Sequence, residues 1–406
     1  MTTPTLLSRV LLYSHDTYGL GHLRRNLVLA RSLLTSPAPP QVVLASGSPV
    51  IDRVPLPTGL ACVPLPPVVK RGAEEYDSLD PSLGISLVRR ARSAVLSDVV
   101  ARWQPDVLVV DHAPHGMKGE LLPVFDTLRR RSPRTKVVLG LRDILDQPER
   151  VLTAWRAEGV VETLERVYDA ILVYGERSVF DLARLYRLPP TVAARLVYCG
   201  YVAGAPPAGP AAPPGLEPGT EYVLGTVGGG GDGVEVLVAT AQAAAAAGLA
   251  AVLCTGPLMP AADRAHLADA VGGRPGVVVV QHLTDLVGVA AGARCVVSRG
   301  GYNSMCELVS LGVPAVVVPR SAPRVEQVLR AEAFARRGLV RVVREADGFV
   351  GSLVRAVAEA AAGVARPHEQ LPLDGGARTV DAVRRLVASA PAADGGAPDE
   401  TLMVPA

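Results

Sequence analysis

A strong charge of one sign is missing from this chain of 406 residues: Lys plus Arg (41) nearly cancels Asp plus Glu (39), leaving +2. No long-range field draws it to nucleic acid or to an acidic membrane, so an anionic ligand must be met locally. Lysine is scarce, with only Lys70, Lys118 and Lys136, a skew given no functional weight. The five cysteines (Cys62, Cys199, Cys254, Cys295 and Cys306) are odd in number, far apart and form no CxxC pair. That argues against a disulfide framework or a zinc knuckle and makes a reducing cytoplasm the expected location. The opening "MTTPTLLSRVLLYSHD" has neither a basic n-region nor a long apolar core, so no signal peptide is expected. One uncharged stretch, "VLVATAQAAAAAGLAAVL" (236–253), is mostly alanine and runs into "CTGP". It reads as a buried helix followed by a strand, not as a transmembrane segment.

What is present is apolar matter in short runs: 49% of residues are hydrophobic, punctuated by 40 Gly and 35 Pro. Strand-length runs recur with helical stretches between them: "RVLLYS", "QVVLAS", "DVLVVD", "KVVLGL" and "AILVYG", then "YVLGTV", "AAVLCT", "GVVVVQ", "RCVVS" and "PAVVVP". Several are continuous and not alternating, as expected for strands buried on both faces, so the fold class is α/β with parallel sheets covered by helices. The Pro/Gly-rich stretch "AGAPPAGPAAPPGLEPG" (203–219) forbids a packed element. The expected organisation is a first α/β domain over 1–202, a linker over 203–219 and a second α/β domain over 220–387 closed by the helix of "ARTVDAVRRLVAS". A disordered tail is expected over 388–406. Ligands of open α/β sheets bind beyond the carboxyl ends of the strands, here in a cleft shared by two sheets.

Chemistry is therefore sought at strand ends. The first strand runs into "SHDTYGLGHLRRNLVLARSL", where Gly19 and Gly21 permit close backbone approach and Leu23, Leu27, Ala30, Leu33 and Leu34 share one helical face. His22 then stands at a helix N-terminus, whose positive end disfavours imidazolium and suits a neutral base; a histidine that only caps the turn fits the same spacing. In the second half, "GTVGGGGDG" (225–233) offers Gly229 and Gly230 as a phosphate cradle or, equally, as a flexible turn. No Lys follows, so it is not a Walker loop, and no clear dinucleotide fingerprint is present. The most informative stretch is "RGGYNSMCE" (299–307). Gly300 and Gly301 bring backbone near a ligand, Asn303 and Ser304 supply donors in the first helical turn, and Arg299 adds positive charge, a set suited to a diphosphate. Three residues past Ser304, Glu307 can accept hydrogen bonds from two adjacent hydroxyls, as on a ribose.

"RGGYNSMCE" resembles the donor-binding signature of GT-B glycosyltransferases, whose plant-type members carry His-Cys-Gly-Trp-Asn-Ser followed three residues later by Glu, and it is similar to the MurG-like branch, which has Arg-Ser-Gly at the matching place. The resemblance implies two Rossmann-like domains. It implies that Asn303 and Ser304 bind a diphosphate, that Glu307 binds the nucleotide ribose, and that Arg299 takes the place of the plant histidine. It further implies that Leu283 holds the base through main-chain atoms and that Glu326 and Gln327, in "PRVEQ", bind sugar hydroxyls. "GLGHLRR" resembles the family's Gly-x-Gly-His loop, which makes His22 the acceptor base and Asp111 its carboxylate partner. The family often has Pro three residues after that histidine, where Arg25 stands here.

The resemblance thus implies an inverting glycosyltransferase, with a nucleotide diphosphate sugar, uridine-linked by expectation, as co-substrate. No cofactor or metal is expected: there is no Asp-x-Asp pair placed for a divalent ion, and the Asp111, His112 and His115 cluster is not a standard zinc pattern. Glu120, Arg142 and Asp143 are further strand-end residues expected to line the acceptor side of the cleft, or else to pair with one another. With aromatics at 4% and no apolar-basic surface helix evident, a small-molecule or glycan acceptor is expected over a lipid-linked one. Rival readings are a sugar-nucleotide 2-epimerase of the same fold, a non-catalytic nucleotide-sugar binding protein and, disfavoured, a dinucleotide oxidoreductase.

Overall fold

Runs such as "VLLY" and "VLVV" present no polar row to either side, so they are stable as strands only where helices cover both faces of their sheet. In the computed structural model, which describes residues 6–16, 21–70, 76–363 and 370–389, that is how they are used. In the first half the strands are β1 (Arg9–Ser14), β2 (Gln41–Ser46), β3 (Leu60–Pro64), β4 (Val68–Lys70), β5 (Tyr76–Ser78), β6 (Val107–Asp111), β7 (Lys136–Arg142), β8 (Ala170–Tyr174) and β9 (Leu196–Tyr198). All but β4 and β5, which form a separate antiparallel pair, join one sheet in the order β3-β2-β1-β6-β7-β8-β9. The second half supplies β10 (Tyr222–Thr226), β11 (Ala250–Cys254), β12 (Val277–Val280), β13 (Cys295–Ser298), β14 (Ala315–Val317) and β15 (Arg341–Val342), ordered β12-β11-β10-β13-β14-β15.

Every pairing in both sheets is parallel. In each sheet the chain first runs outward to one side of its opening strand, then returns to the other side: β6 pairs with β1 and β13 pairs with β10. Helices leaving such neighbouring strands diverge to opposite faces, which opens a crevice at the strands' carboxyl ends. The alanine-rich stretch becomes the helix Val234–Ala246 and the start of β11, and among the described residues no helix is long and apolar enough to cross a membrane.

The core is continuous across the two sheets. Leu12, Val109 and Leu172 of the first sheet and Leu224, Val296 and Val317 of the second belong to one buried cluster that also holds Tyr201, Tyr302 and Phe334. The outer face of each sheet has its own cluster. Residues 203–219 contain neither helix nor strand; they lie along the protein, with Ala211 N–H donating to Gly288 O at 2.9 Å.

The sequence reading counts the last helix with the second domain, up to 387. Gly375–Ala388 crosses back to the first sheet and lies against the helix Gly21–Leu34 and against β8, because its apolar stripe of Val380, Val383 and Val387 is buried there. At the crossing Tyr201 N–H donates to Pro372 O at 2.7 Å and Gly375 N–H donates to Tyr201 O at 3.0 Å. A Cβ on Gly375 would stand 2.7 Å from the Tyr201 carbonyl, so only glycine allows this approach. The expected disordered tail lies, from residue 390 on, outside the described residues.

One buried ion pair joins the sheets. Arg330, from the helix Glu326–Ala335, donates Nη2 to Asp143 Oδ1 at 2.7 Å and Nε to both carboxylate oxygens at 3.0 Å; each side chain is 1% exposed. The same guanidinium donates to Gly300 O and to Ile144 O, both at 3.2 Å. Asp143 is therefore not an acceptor-side residue: it neutralises a charge that has no access to water. Removing one partner strands the other, at a cost of about 3–5 kcal/mol. Arg330→Ala or Asp143→Ala should lower the heat- or urea-unfolding midpoint accordingly, and the paired change Asp143→Leu with Arg330→Met should recover most of the loss. Single variants that unfold at the wild-type midpoint would refute the assignment.

Candidate active site

At the first sheet's crevice, the carboxyl ends of β1 and β6 lie side by side. Residues 17–20, Gly19 among them, lie outside the described residues, and the helix Gly21–Leu34 puts His22 in its first turn. Asn26 Nδ2 fixes that turn by donating to His22 O at 3.0 Å and to Ser14 Oγ at 3.1 Å. Asp111, the last residue of β6, is 2% exposed and lies 2.6 Å by its Oδ2 from His22 Nδ1. Arg25, one helical turn beyond His22, donates Nε to Asp111 Oδ1 at 3.2 Å and Nη2 to the same oxygen. Burial opposes ionisation of Asp111, but Arg25 and His22 outweigh it and hold the carboxyl far below its usual range. An ionised carboxylate accepts the Nδ1 proton, which leaves Nε2 of His22 with its lone pair. Burial pushes the His22 pKa below its ordinary value; Asp111 works against that shift, while Arg25 and Arg142 add to it.

His22 and Asp111 are thus brought together as the sequence suggested, and Arg25 gains a role that the sequence left open. Its guanidinium also stands 5.7 Å from the ring centroid of Tyr302, the residue inside "RGGYNS", so the departure from the family's Pro supplies a cation that locks Asp111 in place.

Across the crevice, β13 ends at Ser298 and the helix Tyr302–Leu311 begins after Arg299, Gly300 and Gly301. A Cβ on Gly301 would meet nothing within 4 Å, so this backbone faces open space, whereas one on Gly300 would stand 3.0 Å from Gln327 O. Asn303 Nδ2 donates to Gly21 O at 2.9 Å, and Arg24 Nη2 donates to Glu307 Oε1 at 2.7 Å. Burial raises the Glu307 carboxyl's pKa and Arg24 opposes the rise. Both groups expected to hold a nucleotide are thereby paired with the histidine-bearing helix. Ser304 lines a small cavity with Glu307, Thr226 and Ser298.

Other expected residues are differently engaged. Arg299 is 8% exposed and donates Nη1 to Glu345 Oε2 at 2.6 Å and to Val318 O at 3.3 Å, so its charge is already countered, as a buried guanidinium requires. Gly230 has φ 84°, and a Cβ there would collide with the Thr255 carbonyl; its need for glycine comes from protein packing. Gly229 is exposed, and its carbonyl accepts from Leu258 N–H at 2.8 Å. Leu283 is buried in the inner core. Gln327 Oε1 accepts from Arg320 N–H at 3.1 Å, and Glu326 keeps a buried Oε2 with no partner.

Glu120, expected at the acceptor side, is a correction: it is fully buried and accepts from Arg92 Nε (2.6 Å), Arg92 Nη2 (2.8 Å) and the Tyr13 hydroxyl (2.5 Å). His115 faces away from the crevice chemistry, with Nε2 2.7 Å from Thr163 Oγ1. Arg142 does reach the crevice, its Nη2 lying 3.4 Å from His112 Nε2.

Residues 227–372 match the glycosyltransferase family 28 C-terminal domain. Among curated proteins, the UDP-N-acetylglucosamine--N-acetylmuramyl-(pentapeptide) pyrophosphoryl-undecaprenol N-acetylglucosamine transferase of Lachnospira eligens is 34% identical over 92 residues, 22% of this chain and 26% of that protein. A Bacillus cereus transferase of the same name, numbered 2, is 42% identical over 66 residues, 16% of this chain and 19% of that protein. The chain therefore matches about a quarter or less of the length of these relatives. Solved structures align over nearly the whole chain. The calicheamicin glycosyltransferase CalG4 has TM-score 0.58 at 18% identity, covering 94% of this chain and 99% of that one. MurG of Acinetobacter baumannii has TM-score 0.54 at 14% identity, covering 93% and 99%. A Listeria monocytogenes protein described as a UDP-N-acetylglucosamine 2-epimerase has TM-score 0.62 at 11% identity, covering 93% and 96%. The chain is accordingly a two-sheet protein of the GT-B fold whose second half matches the family 28 glycosyltransferase domain.

Proposed function

We propose that this protein is an inverting glycosyltransferase that moves a sugar from a nucleotide diphosphate, uridine-linked, to a hydroxyl or amine of an acceptor, without a metal. The observation that carries the reading is the placement of the His22–Asp111 pair directly across the crevice from the helix start at Gly301, with Asn303 Nδ2 only 2.9 Å from the backbone of Gly21. The curated relatives that match in part are UDP-N-acetylglucosamine-dependent by name, which supports a uridine donor. Their named acceptor is pyrophosphoryl-undecaprenol-linked, whereas CalG4 is a calicheamicin glycosyltransferase; with the latter, we take the acceptor to be a small molecule or glycan.

In this reading Asp111 keeps the proton on Nδ1, and His22 Nε2 takes the acceptor's proton as the acceptor oxygen or nitrogen bonds to the anomeric carbon. The bond from that carbon to the diphosphate breaks on the opposite side, which inverts the centre. Negative charge grows on the leaving diphosphate, and the stabilisation has to be aimed there: backbone N–H groups at Gly301 and the first helical turn, with Asn303 and Ser304. Arg25 acts through Asp111 by fixing its orientation. Glu307 exchanges Arg24 for the ribose hydroxyls, and Glu326, whose Oε2 lacks a partner, with Gln327 meets the sugar.

A 2-epimerase of the same fold is the second reading, favoured by the likeness to the Listeria protein. The two part on one experiment: sugar nucleotides incubated with the protein alone, and then with an acceptor library. Transfer requires acceptor-dependent release of nucleoside diphosphate with the sugar's C2 configuration intact; a C2 epimer formed without acceptor would replace this proposal.

His22→Ala should cut turnover by about 10²–10⁴-fold, the usual worth of a positioned general base, while UDP binding by calorimetry stays as in the wild type. The pH profile of kcat/KM should rise with pH and level off below about 6.5, because burial lowers the pKa of the base; Asp111→Asn, by removing the charge that raises that pKa, should move the limb to lower pH. Glu307→Gln should weaken nucleoside diphosphate binding by roughly 1.5–3 kcal/mol, the range for a hydrogen bond to a charged group, with little change in thermal stability.

A further inference from the structure

Three neighbouring strands of the first sheet deliver basic side chains to one spot: His15 follows β1, His112 follows β6, and Arg142 ends β7. The rings of His15 and His22 are 5.6 Å apart, those of His22 and His112 are 5.3 Å apart, and those of His15 and His112 are 6.3 Å apart. His112 is held there by an uncommon backbone: its φ is 67°, in the left-handed region that a non-glycine residue avoids, and its N–H is anchored on Gly140 O at 2.8 Å.

The fully buried cations around this spot are matched. Arg25 has Asp111, and Arg330 has Asp143. Both oxygens of Asp111 are already engaged, one by His22 and the other by Arg25. Arg142 feels the charges of Glu326 and Asp111, yet among the described residues its one hydrogen-bond contact is the 3.4 Å approach to His112. Arg142 Nε and His112 Nδ1 are both buried with no partner. The two side chains are half-buried, and N–H positions on them that are shut off from water are costly unless something completes them. The crowding is felt by both: burial, Arg25 and Arg330 push Arg142 down to about 10, and burial followed by Arg142 holds His112 well below its ordinary value.

We propose that Arg142 and His112 form an oxyanion subsite for the acceptor, which therefore carries a phosphate or carboxylate close to the hydroxyl or amine that His22 deprotonates. This rests on the transferase reading above and names its acceptor class. Both residues belong to the first sheet, on the side of His22, while the helix start proposed for the donor diphosphate lies on the second sheet. A planar guanidinium fork suits two oxygens of one anion, and an anion held there sets the distance and direction of the neighbouring nucleophile relative to His22 Nε2. Arg142 would thus select acceptors by charge, while His22 acts on whichever nucleophile the anion brings into line.

The test uses the full chain and calorimetric titration with inorganic phosphate, first alone and then with a saturating nucleoside diphosphate chosen from UDP, dTDP and GDP. Phosphate is expected to bind in both conditions. Arg142→Gln should weaken phosphate binding at least tenfold with the nucleotide Kd and the thermal midpoint unchanged. His112→Gln should weaken it less, and Arg142→Lys, which keeps the charge but loses the fork, should fall between wild type and Arg142→Gln. Phosphate affinity unaltered in Arg142→Gln would overturn the proposal. So would displacement of phosphate by nucleotide together with a weaker nucleotide Kd in Arg142→Gln, because the anion would then be the donor's diphosphate. If none of the three nucleotides binds the wild type, the transferase reading fails by itself, and phosphate binding lost in Arg142→Gln would still uphold the oxyanion site.

Discussion

Asp143 and Arg330 meet at the seam between the two sheets, where neither can be hydrated, so each requires the other in place. The guanidinium spends its remaining donors on Gly300 O and Ile144 O, which fixes the Arg-Gly-Gly turn of the second sheet relative to the end of β7 in the first. From there contacts run in an unbroken series. Arg330 lies 5.6 Å from the Tyr302 ring centroid, Arg25 stands 5.7 Å from the same centroid, and Arg25 bonds Asp111, which holds His22. The Tyr302 hydroxyl accepts from Val202 N–H at 3.0 Å, tying the series to the chain that leaves the first sheet. The proposed base and the helix start opposite it are thus positioned by one run of buried polar and aromatic groups, and not by loop ends that happen to face each other.

This economy of charge is local. A chain with a net charge of +2 still gathers Arg24, Arg25, Arg142 and Arg330 around one crevice, and all but Arg142 have a carboxylate assigned to them. Pairing keeps the buried Arg25 and Arg330 tolerable and makes the half-buried Arg142, which has no such partner, informative. Arg299 keeps to the same pattern. At the buried end of β13 a guanidinium needs a counter-charge whether or not a ligand is bound, and Glu345 supplies it.

Elements with a local period were legible in the sequence. Continuous apolar runs announced parallel strands, and the spacing of Leu23, Leu27 and Ala30 announced the helix behind His22. The resemblance to the Gly-x-Gly-His loop then paired His22 with Asp111 although they lie 89 positions apart. Partners fixed only by tertiary packing left no such trace. Arg330 and Asp143 are separated by 187 positions, and nothing in "VEQVLRAE" marks its arginine as the one that crosses the seam. Glu120 follows a strand as a cleft residue should, but the loop turns it inward onto Arg92. Arg25 was the nearest to being readable, because three residues after His22 puts it on the same helical face. The final helix was visible in "ARTVDAVRRLVAS"; which surface it covers depends on a route taken by the chain as a whole.

That route has a mechanical meaning. The polypeptide passes between the sheets twice, once after Tyr201 and once before Gly375, and at the crossing the two passages are bonded to each other through Tyr201, Pro372 and the Val202–Asp374 bridge. Two segments laced side by side act as a stitch: the halves cannot part here without breaking the bonds of both passages at once. At the crevice the bond between Arg24 and Glu307 fastens them a second time.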